Sequence, residues 1–158
     1  MQIFALPLHH ECRMNSRFSL AVHILCLLAT EPGQRLTSEF IATSIGTNPV
    51  VIRRLLARLR RHGLVSSKSA GGGGWMLAQP ATQITLDRVR QAATEGETAK
   101  IHRNAPHPDC PVGKSVRTSL VDLYHQADAA LDRELGQISL AAFLATVLSE
   151  TQTKSKTA

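Results

Sequence analysis

The chain has 158 residues, of which 43% are hydrophobic, and a formal net charge of +6. This size suits a single core with an oligomer contact, and no apolar run is long enough to span a bilayer. The basic excess favours an anionic partner, which could be DNA or a membrane surface.

Residues 1–13 differ from the sequence that follows. They contain short apolar stretches, but no basic leading end and no small-residue cleavage site, so we do not expect a secretory signal. Their His9, His10 and Cys12 have no evident partner, and a domain-like pattern begins at Met14. We interpret this segment as an N-terminal extension ahead of the first domain, with Met14 as an alternative start of the protein.

The first helix is predicted over residues 17–29. One apolar stripe along it consists of Phe18, Ala21, Val22, Leu25 and Leu28. A second stripe consists of Leu20, Ile24 and Leu27. A helix with two apolar stripes is expected to be covered on two sides, and a dimer partner could supply the second cover.

A short supporting helix is predicted next. Thr37 offers a cap at its start, and Phe40, Ile41 and Ile45 are expected to face the core. Gly46 then turns the chain towards another helix. Two helices joined by a tight turn are typical of a helix-turn-helix.

The second helix of this pair has clear ends. Thr47, Asn48 and Pro49 combine a polar cap with an early proline, as expected at a helix start, and Gly63 is expected to end the helix in the left-handed conformation. Four apolar residues recur at the spacing of one buried face: Ile52, Leu55, Leu56 and Leu59.

The opposite side of this helix is cationic. From Arg53 to Lys68 there are six basic side chains and no acidic one. We call its outer residues the arginine face: Val50, Arg54, Ala57 and Arg61, flanked by Arg53 and Arg58. Arginine forks can pair with phosphate or with guanine O6 and N7 in the major groove, and the small Val50 and Ala57 would permit close approach. A merely solvated helix face is the alternative interpretation, since arginine is a good helix former.

A β-hairpin is predicted after the arginine face. Leu64 and Val65 begin one strand, residues 71–74 form an all-glycine loop, and Trp75 to Leu77 return as the partner strand. A nucleotide-binding glycine loop is followed by a helix, whereas a strand follows here. The order of elements predicts a winged helix-turn-helix over residues 14–94, mainly α-helical with a small β-hairpin wing. Such a fold predicts a protein that binds duplex DNA.

The segment after the wing begins with a short helix. Thr85 is expected to cap it, and Leu86, Val89 and Ala93 are expected to face inward. Residues 95–110 then lose all periodicity. A loop of this length is expected to have a functional or mobile role.

A long helix is predicted from residue 111 to about 135. Its apolar positions form a narrow seam, widened by Tyr124 and Leu135, that could contact a second copy. The predicted dimer contacts are Val116, Leu120, Leu123, Ala127 and Leu131. The alternative is an amphipathic helix packed only within its own chain. A last helix at 139–150 completes a dimerisation region of residues 111–150, and the polar residues 151–158 are predicted to be a disordered tail.

Five segments combine into a family pattern: residues 14–18 (MNSRF), 21–25 (AVHIL), 63–65 (GLV), 73–78 (GGWMLA) and 84–86 (ITL). In this combination the chain resembles, from residue 14 to about 148, the Rrf-two family of bacterial winged-helix transcription regulators, which includes iron-sulfur and nitric oxide sensing repressors. The resemblance implies a homodimer that binds a pseudo-palindromic operator, usually represses, and is controlled by the region after the wing. Where the family's wing often carries Arg-Gly, this chain has Ser69-Ala70, and Lys68 is the nearest basic substitute.

The resemblance implies that residues 95–110 form a sensor-type loop, and this interpretation depends on the cysteines. Cys12 lies in the N-terminal extension, and Cys26 lies in the apolar first helix, where a buried structural thiol is expected. Cys110 begins the long helix, where family members place their sensor. Unpaired amides and Lys114 would stabilise a thiolate there, whereas Asp109 opposes it. A redox- or electrophile-responsive thiol and a plain helix-start residue both remain open.

Cofactor binding and catalysis find little support. Cluster-binding relatives use three cysteines in this loop, whereas residues 95–110 contain one, so an iron-sulfur cluster is not expected. No metal site is predicted, because His102, His107 and Cys110 match no zinc spacing and lack a fourth ligand.

No catalytic motif occurs, so we do not predict an enzyme, although a thiol-dependent enzyme based on Cys110 stays a third possibility. Cysteines without a secretory signal fit the cytoplasm.

These observations predict a cytoplasmic, homodimeric transcriptional regulator, by resemblance a repressor, with double-stranded DNA as its partner and no membrane association. The expected contacts on the helix are Thr47, Asn48, Val50, Arg53, Arg54, Arg58 and Arg61. Those on the wing are Lys68, Gly72 and Gly73. The alternative is a winged-helix protein-interaction module whose basic face docks on an acidic protein.

Overall fold

The computed structural model describes residues 16–68, 73–95, 107 and 109–155. Along these residues run α1 (Ser16–Thr30), α2 (Ser38–Ile45), α3 (Pro49–Arg61), β1 (Val65–Lys68), β2 (Gly74–Leu77), a 3-10 turn (Ala81–Gln83), α4 (Leu86–Thr94), α5 (Pro111–Gly136) and α6 (Leu140–Ser155). The two strands pair antiparallel. The prediction of a mainly helical fold with a small hairpin is confirmed. Within the described ranges, no helix is long and apolar enough to cross a membrane.

Helix α2 begins as predicted but buries one residue fewer than expected. The Thr37 hydroxyl accepts a hydrogen bond from the Phe40 N–H over 3.1 Å, and Gly46 ends the helix at φ +73°. Ile41 is fully buried, whereas Phe40 is 53% exposed, so the prediction that Phe40 faces the core is wrong. Adjacent residues on a helix point about 100° apart, so Phe40 lies off the buried stripe that Ile41 and Ile45 share.

Helix α3 follows its local sequence signals closely. The Asn48 side chain accepts a hydrogen bond from the Val50 N–H over 2.8 Å, and Pro49 occupies the first turn. Gly63 adopts φ +68°, and the Leu64 N–H then reaches back to the Leu59 carbonyl over 3.0 Å. The predicted inward residues are all buried: Ile52, Leu55, Leu56 and Leu59. The arginine face is therefore attached to a rigid, well-anchored helix.

The wing is tied to the chain ahead of α2 by contacts that the sequence analysis missed. Leu36 and Trp75 exchange two backbone hydrogen bonds, of 3.0 and 2.8 Å. Glycine allows a close approach at position 74, because an added Cβ would lie 3.0 Å from the Arg35 Cβ and 3.0 Å from the Leu36 carbonyl oxygen, and these neighbours would have to shift. These contacts fix the base of the wing against the helix-turn-helix.

The start of α6 packs on the winged domain. Leu140 is fully buried, and its N–H donates to the Ile84 carbonyl over 2.7 Å. The Leu86 N–H donates in turn to the Ile138 carbonyl over 3.0 Å. The winged core therefore includes the first turns of a helix that the sequence analysis placed in the dimerisation region.

Two predictions about helix ends are corrected. Thr85 precedes α4, and the predicted inward residues Leu86, Val89 and Ala93 are buried, but the Thr85 side chain makes no capping hydrogen bond. Helix α6 continues to Ser155, so the predicted disordered tail at 151–158 is wrong for residues 151–155. That stretch contains neither glycine nor proline, and nothing in its sequence stops a helix.

Candidate nucleic-acid interface

Arg54 is the most available cation of the arginine face. Its side chain is exposed and makes no hydrogen bond or ion pair with any residue that the structure describes. Val50 lies one turn earlier on the same side and is 43% exposed. Ala57, the next member of this row, is half-buried. A ligand approaching this side of α3 would therefore meet a guanidinium between two small side chains.

Arg53 is exposed but has an internal partner. Its Nη1 lies 2.8 Å from Oε1 of Glu39 on α2, and both side chains are more than half exposed. Exposed pairs of this kind contribute only about 0–1 kcal/mol. A phosphate could therefore compete with Glu39 for this guanidinium.

The other two arginines of this face attach α3 to the end of α4. Arg58 donates to the Ala93 carbonyl over 3.0 Å, and Nη2 of Arg61 lies 2.7 Å from Oε2 of Glu95. The hydrogen bond from Arg61, together with the positive charge of the same guanidinium, lowers the pKa of Glu95. Arg58 and Arg61 thus help to hold the C-terminal half of α3 in place.

The positive surface extends beyond α3 towards α1. An open cavity of about 750 Å³ lies between the two helices, and its described lining includes Arg17, His23, Arg54 and Arg58 but no carboxylate. Arg17 was not among the predicted contacts. Only the fold brings this residue, 37 positions before Arg54 in the chain, to the same surface.

The two residues at the start of α3 have different surroundings. Thr47 is half-buried and lines the cavity. Asn48 is exposed, and its Oδ1 is used to cap α3. Its amide nitrogen is therefore the group that it can still offer to a ligand, as a donor.

The described part of the wing places Lys68 at its outer end. Lys68 is exposed and pairs with Gly74 in the hairpin register. Gly73 is half-buried, and Gly72 lies outside the described residues. Arg60 was not among the predicted contacts: its guanidinium lies 5.9 Å from the centre of the Trp75 ring. Cation–π contact of this kind joins α3 to the wing.

The predicted dimer contacts lie on α5. Leu123 is 55% exposed and Val116 is also exposed. Ala127 is exposed, whereas Leu120 and Leu131 are half-buried. Exposed apolar residues at this spacing are typical of a helix that packs against another protein surface.

The two described cysteines differ in their surroundings. Cys26 is buried in α1, and burial raises the pKa of its thiol to about 11. Cys110 is half-buried and caps α5, because its Sγ accepts a hydrogen bond from the Gly113 N–H over 3.3 Å. His107 is exposed and its Nδ1 accepts a bond from the Asp109 N–H. His102 lies outside the described residues, as does Cys12.

Known proteins share this architecture. Residues 14–146 match the family model Rrf2, described as an iron-dependent transcriptional regulator. The HTH-type transcriptional regulator YwnA of Bacillus subtilis is 34% identical over 127 residues, which is 80% of this chain and 93% of YwnA. A solved structure described as that of a DNA binding protein is 32% identical, with a TM-score of 0.66, over 82% of this chain and 99% of its own. The IscR structure from T. potens shares the fold at 22% identity, with a TM-score of 0.61, over 87% of this chain and 89% of its own.

The thiols of this chain do not fit the three-cysteine iron-sulfur ligation that the family resemblance implied. Cys26 is buried among apolar side chains of α1, and Cys110 is the single cysteine within residues 95–110. One cysteine in this loop cannot supply the three thiolates that such a cluster uses.

The fold, the exposed arginines of α3 and the match over residues 14–146 agree on one point: the chain belongs to the Rrf2 family of DNA-binding transcriptional regulators.

Proposed function

We propose that the chain acts as a homodimer that binds a pseudo-palindromic operator with α3 in the major groove. The observation that carries this proposal is the exposed Arg54, flanked by small residues and by a cavity lining without carboxylates. A major groove about 12 Å wide admits one α-helix. Two such helices on one face of the duplex require two copies of the chain.

The arginines of this interface divide into three groups. Arg54 has no internal partner within the described ranges, so its fork is available for a guanine edge or a phosphate. Arg58 and Arg61 hold α3 against α4 and add positive potential near the backbone. Arg53 and Arg17 extend that potential to either side, where phosphate contacts would fix the position of the protein on the duplex.

The wing and the start of α3 supply the remaining contacts. Lys68, with the glycines 72 and 73, is proposed to meet the backbone beside the groove. The Asn48 amide group and Thr47 lie at the N-terminal end of α3, the end that commonly contacts base edges in helix-turn-helix proteins.

Dimerisation is proposed to use α5. Val116, Leu123 and Ala127 are exposed there, and burying apolar surface of this kind is worth about 25 cal/mol per Å². Repression of a promoter near the operator is the expected consequence, in the cytoplasm and without catalysis. A dimer of this kind occludes the DNA that it covers.

Cys110 is proposed to modulate DNA binding. Its Sγ caps the first turn of α5, so oxidation or alkylation would disturb the start of the proposed dimer helix. The Cys110→Ser variant is expected to keep its DNA affinity after mild peroxide treatment, whereas the wild type loses affinity. An equal response of both proteins would contradict this role.

A mobility-shift assay at near-physiological salt tests the proposed function. The probe is the DNA upstream of the chain's own coding region, and the competitor is a scrambled duplex of the same composition. We expect the scrambled duplex to compete at least tenfold less well than unlabelled probe, because specific binding exceeds non-specific binding by about 10³-fold or more. Equal competition would favour the protein-interaction module instead.

A further inference from the structure

The winged domain is joined to α5 by a compact ion-pair cluster centred on Arg90 of α4. The Arg90 Nε lies 2.6 Å from Oδ1 of Asp132, and its Nη1 lies 3.3 Å from Oδ1 of Asp128. Its Nη2 also donates to the Asp128 carbonyl oxygen over 3.5 Å. We call these three residues the α4–α5 clamp.

The central guanidinium of the clamp is less exposed to solvent than Arg53 and Arg61 of the arginine face. The Arg90 side chain is only 16% exposed and that of Asp132 is 28% exposed, whereas Asp128 at the edge of the clamp is 57% exposed. The hydrogen bond with Asp132 raises the pKa of Arg90. The guanidinium therefore stays charged across the whole pH range in which the protein is folded. Asp128 and Asp132 are one turn apart on α5 and therefore share a face. A planar guanidinium bonded to two points along that face restrains both the tilt and the rotation of the helix.

The clamp lies near the end of α5, so a small change of helix angle there moves the start of α5 by a large distance. Contacts between α5 and the winged domain concentrate on α4, whereas the proposed dimer residues Val116 and Leu123 lie further towards the start of α5. Val116 precedes Asp132 by sixteen residues, about 24 Å along a helix. A tilt of about 10° at the clamp would therefore move Val116 by about 4 Å, which is enough to change how two copies meet.

We propose that the α4–α5 clamp sets the direction in which α5 leaves the winged domain, and so fixes the half-site spacing that the dimer accepts. Arg90 is then a positioning residue for operator recognition and does not itself touch DNA. This inference rests on the proposed function, because it requires a dimer on two half-sites. A partly buried ion pair such as Arg90–Asp132 adds little net stability over an apolar replacement, but it can specify one geometry over its alternatives.

The test compares spacing preference in the wild type and two variants. The half-site is first selected by the full-length wild type from a random duplex pool, and two inverted copies are then separated by spacers that grow one base pair at a time. Each added base pair rotates the second half-site by about 35°, so a rigid dimer should lose on the order of tenfold in affinity within two base pairs of its optimum.

The Arg90→Met variant is expected to select the same half-site sequence with a flattened spacing profile. Methionine fills much of the same space without leaving a buried charge of its own. The Asp132→Asn variant should flatten the profile in the same direction, and it tests the clamp if Arg90→Met does not fold. Thermal unfolding and light scattering establish that each variant is folded and dimeric.

Arg88→Met is the matched control. Arg88 also lies on α4, but its guanidinium donates to the Gln79 side chain and the Gln83 carbonyl, both within the winged domain. This variant should keep the wild-type spacing optimum. An unchanged profile in folded Arg90→Met, with a wild type that selects a clear half-site, overturns the clamp alone. A wild type that selects no half-site overturns the proposed function and the clamp together.

Discussion

Replacing Arg54 with alanine should weaken binding to the preferred duplex by about 1–3 kcal/mol, or roughly 5- to 160-fold. The guanidinium is exposed and has no hydrogen bond or ion pair with the residues that the structure describes. Its removal therefore breaks nothing inside that part of the fold, and the free energy of unfolding should change by less than about 0.5 kcal/mol. The whole loss should appear in DNA binding.

Other arginines give a graded comparison. Arg58→Ala removes the hydrogen bond to the Ala93 carbonyl, so it should lower the free energy of unfolding by about 1 kcal/mol as well as the DNA affinity. Arg133→Ala is the charge-matched control, because it removes one exposed cation from α5. It should leave specific affinity nearly unchanged.

The assay is a fluorescence anisotropy titration of a labelled duplex at several salt concentrations. If Arg54 contacts a phosphate, the variant should weaken all duplexes alike, and the slope of log affinity against log salt should fall by about one. If it reads a base, discrimination should relax at one position with the slope preserved. Wild-type affinity in Arg54→Ala, or an equal loss in Arg133→Ala, would refute this account of α3.

Three further predictions concern the wing, the dimer and the thiols. Gly74→Ala should lower the free energy of unfolding by about 1–3 kcal/mol in denaturant titrations, because the new methyl group meets backbone at 3.0 Å; an unchanged midpoint would count against the packing described. Leu123→Asp should convert a dimer to a monomer in light scattering with the helical circular dichroism retained, and a mass still equal to that of the dimer would remove Leu123 from the interface. Native-state alkylation at neutral pH should label Cys110 well before Cys26, whose raised pKa of about 11 keeps the buried thiol protonated until strongly alkaline pH; equal labelling would contradict that difference.

Local chemistry explains why much of the fold could be predicted from the sequence. The caps at Thr37 and Asn48 and the left-handed Gly63 act within a few residues of the helix ends that they define. The buried leucines of α3 follow a periodicity that a single helix imposes. The prediction that Phe40 faces the core was wrong because adjacent apolar residues on a short helix cannot share one stripe. The sequence does not show which of the two will be buried.

Contacts between distant residues explain what could not be predicted. The stretch from Arg53 to Lys68 contains no acid, yet folding pairs Arg53 with Glu39 and Arg61 with Glu95, over separations of 14 and 34 residues. For the same reason, the backbone hydrogen bonds between Leu36 and Trp75 of the wing could not be predicted. Of the four arginines of the arginine face, Arg54 is thus the one without an internal partner in the described ranges.

Dimethyl sulfate protection tests most directly the claim that α3 occupies the major groove, since the reagent methylates guanine N7 there. On a duplex that the protein prefers, we expect protected guanines in two clusters about one helical turn apart, and loss of part of each cluster in Arg54→Ala. Full binding without any protection of guanine N7 would contradict the account.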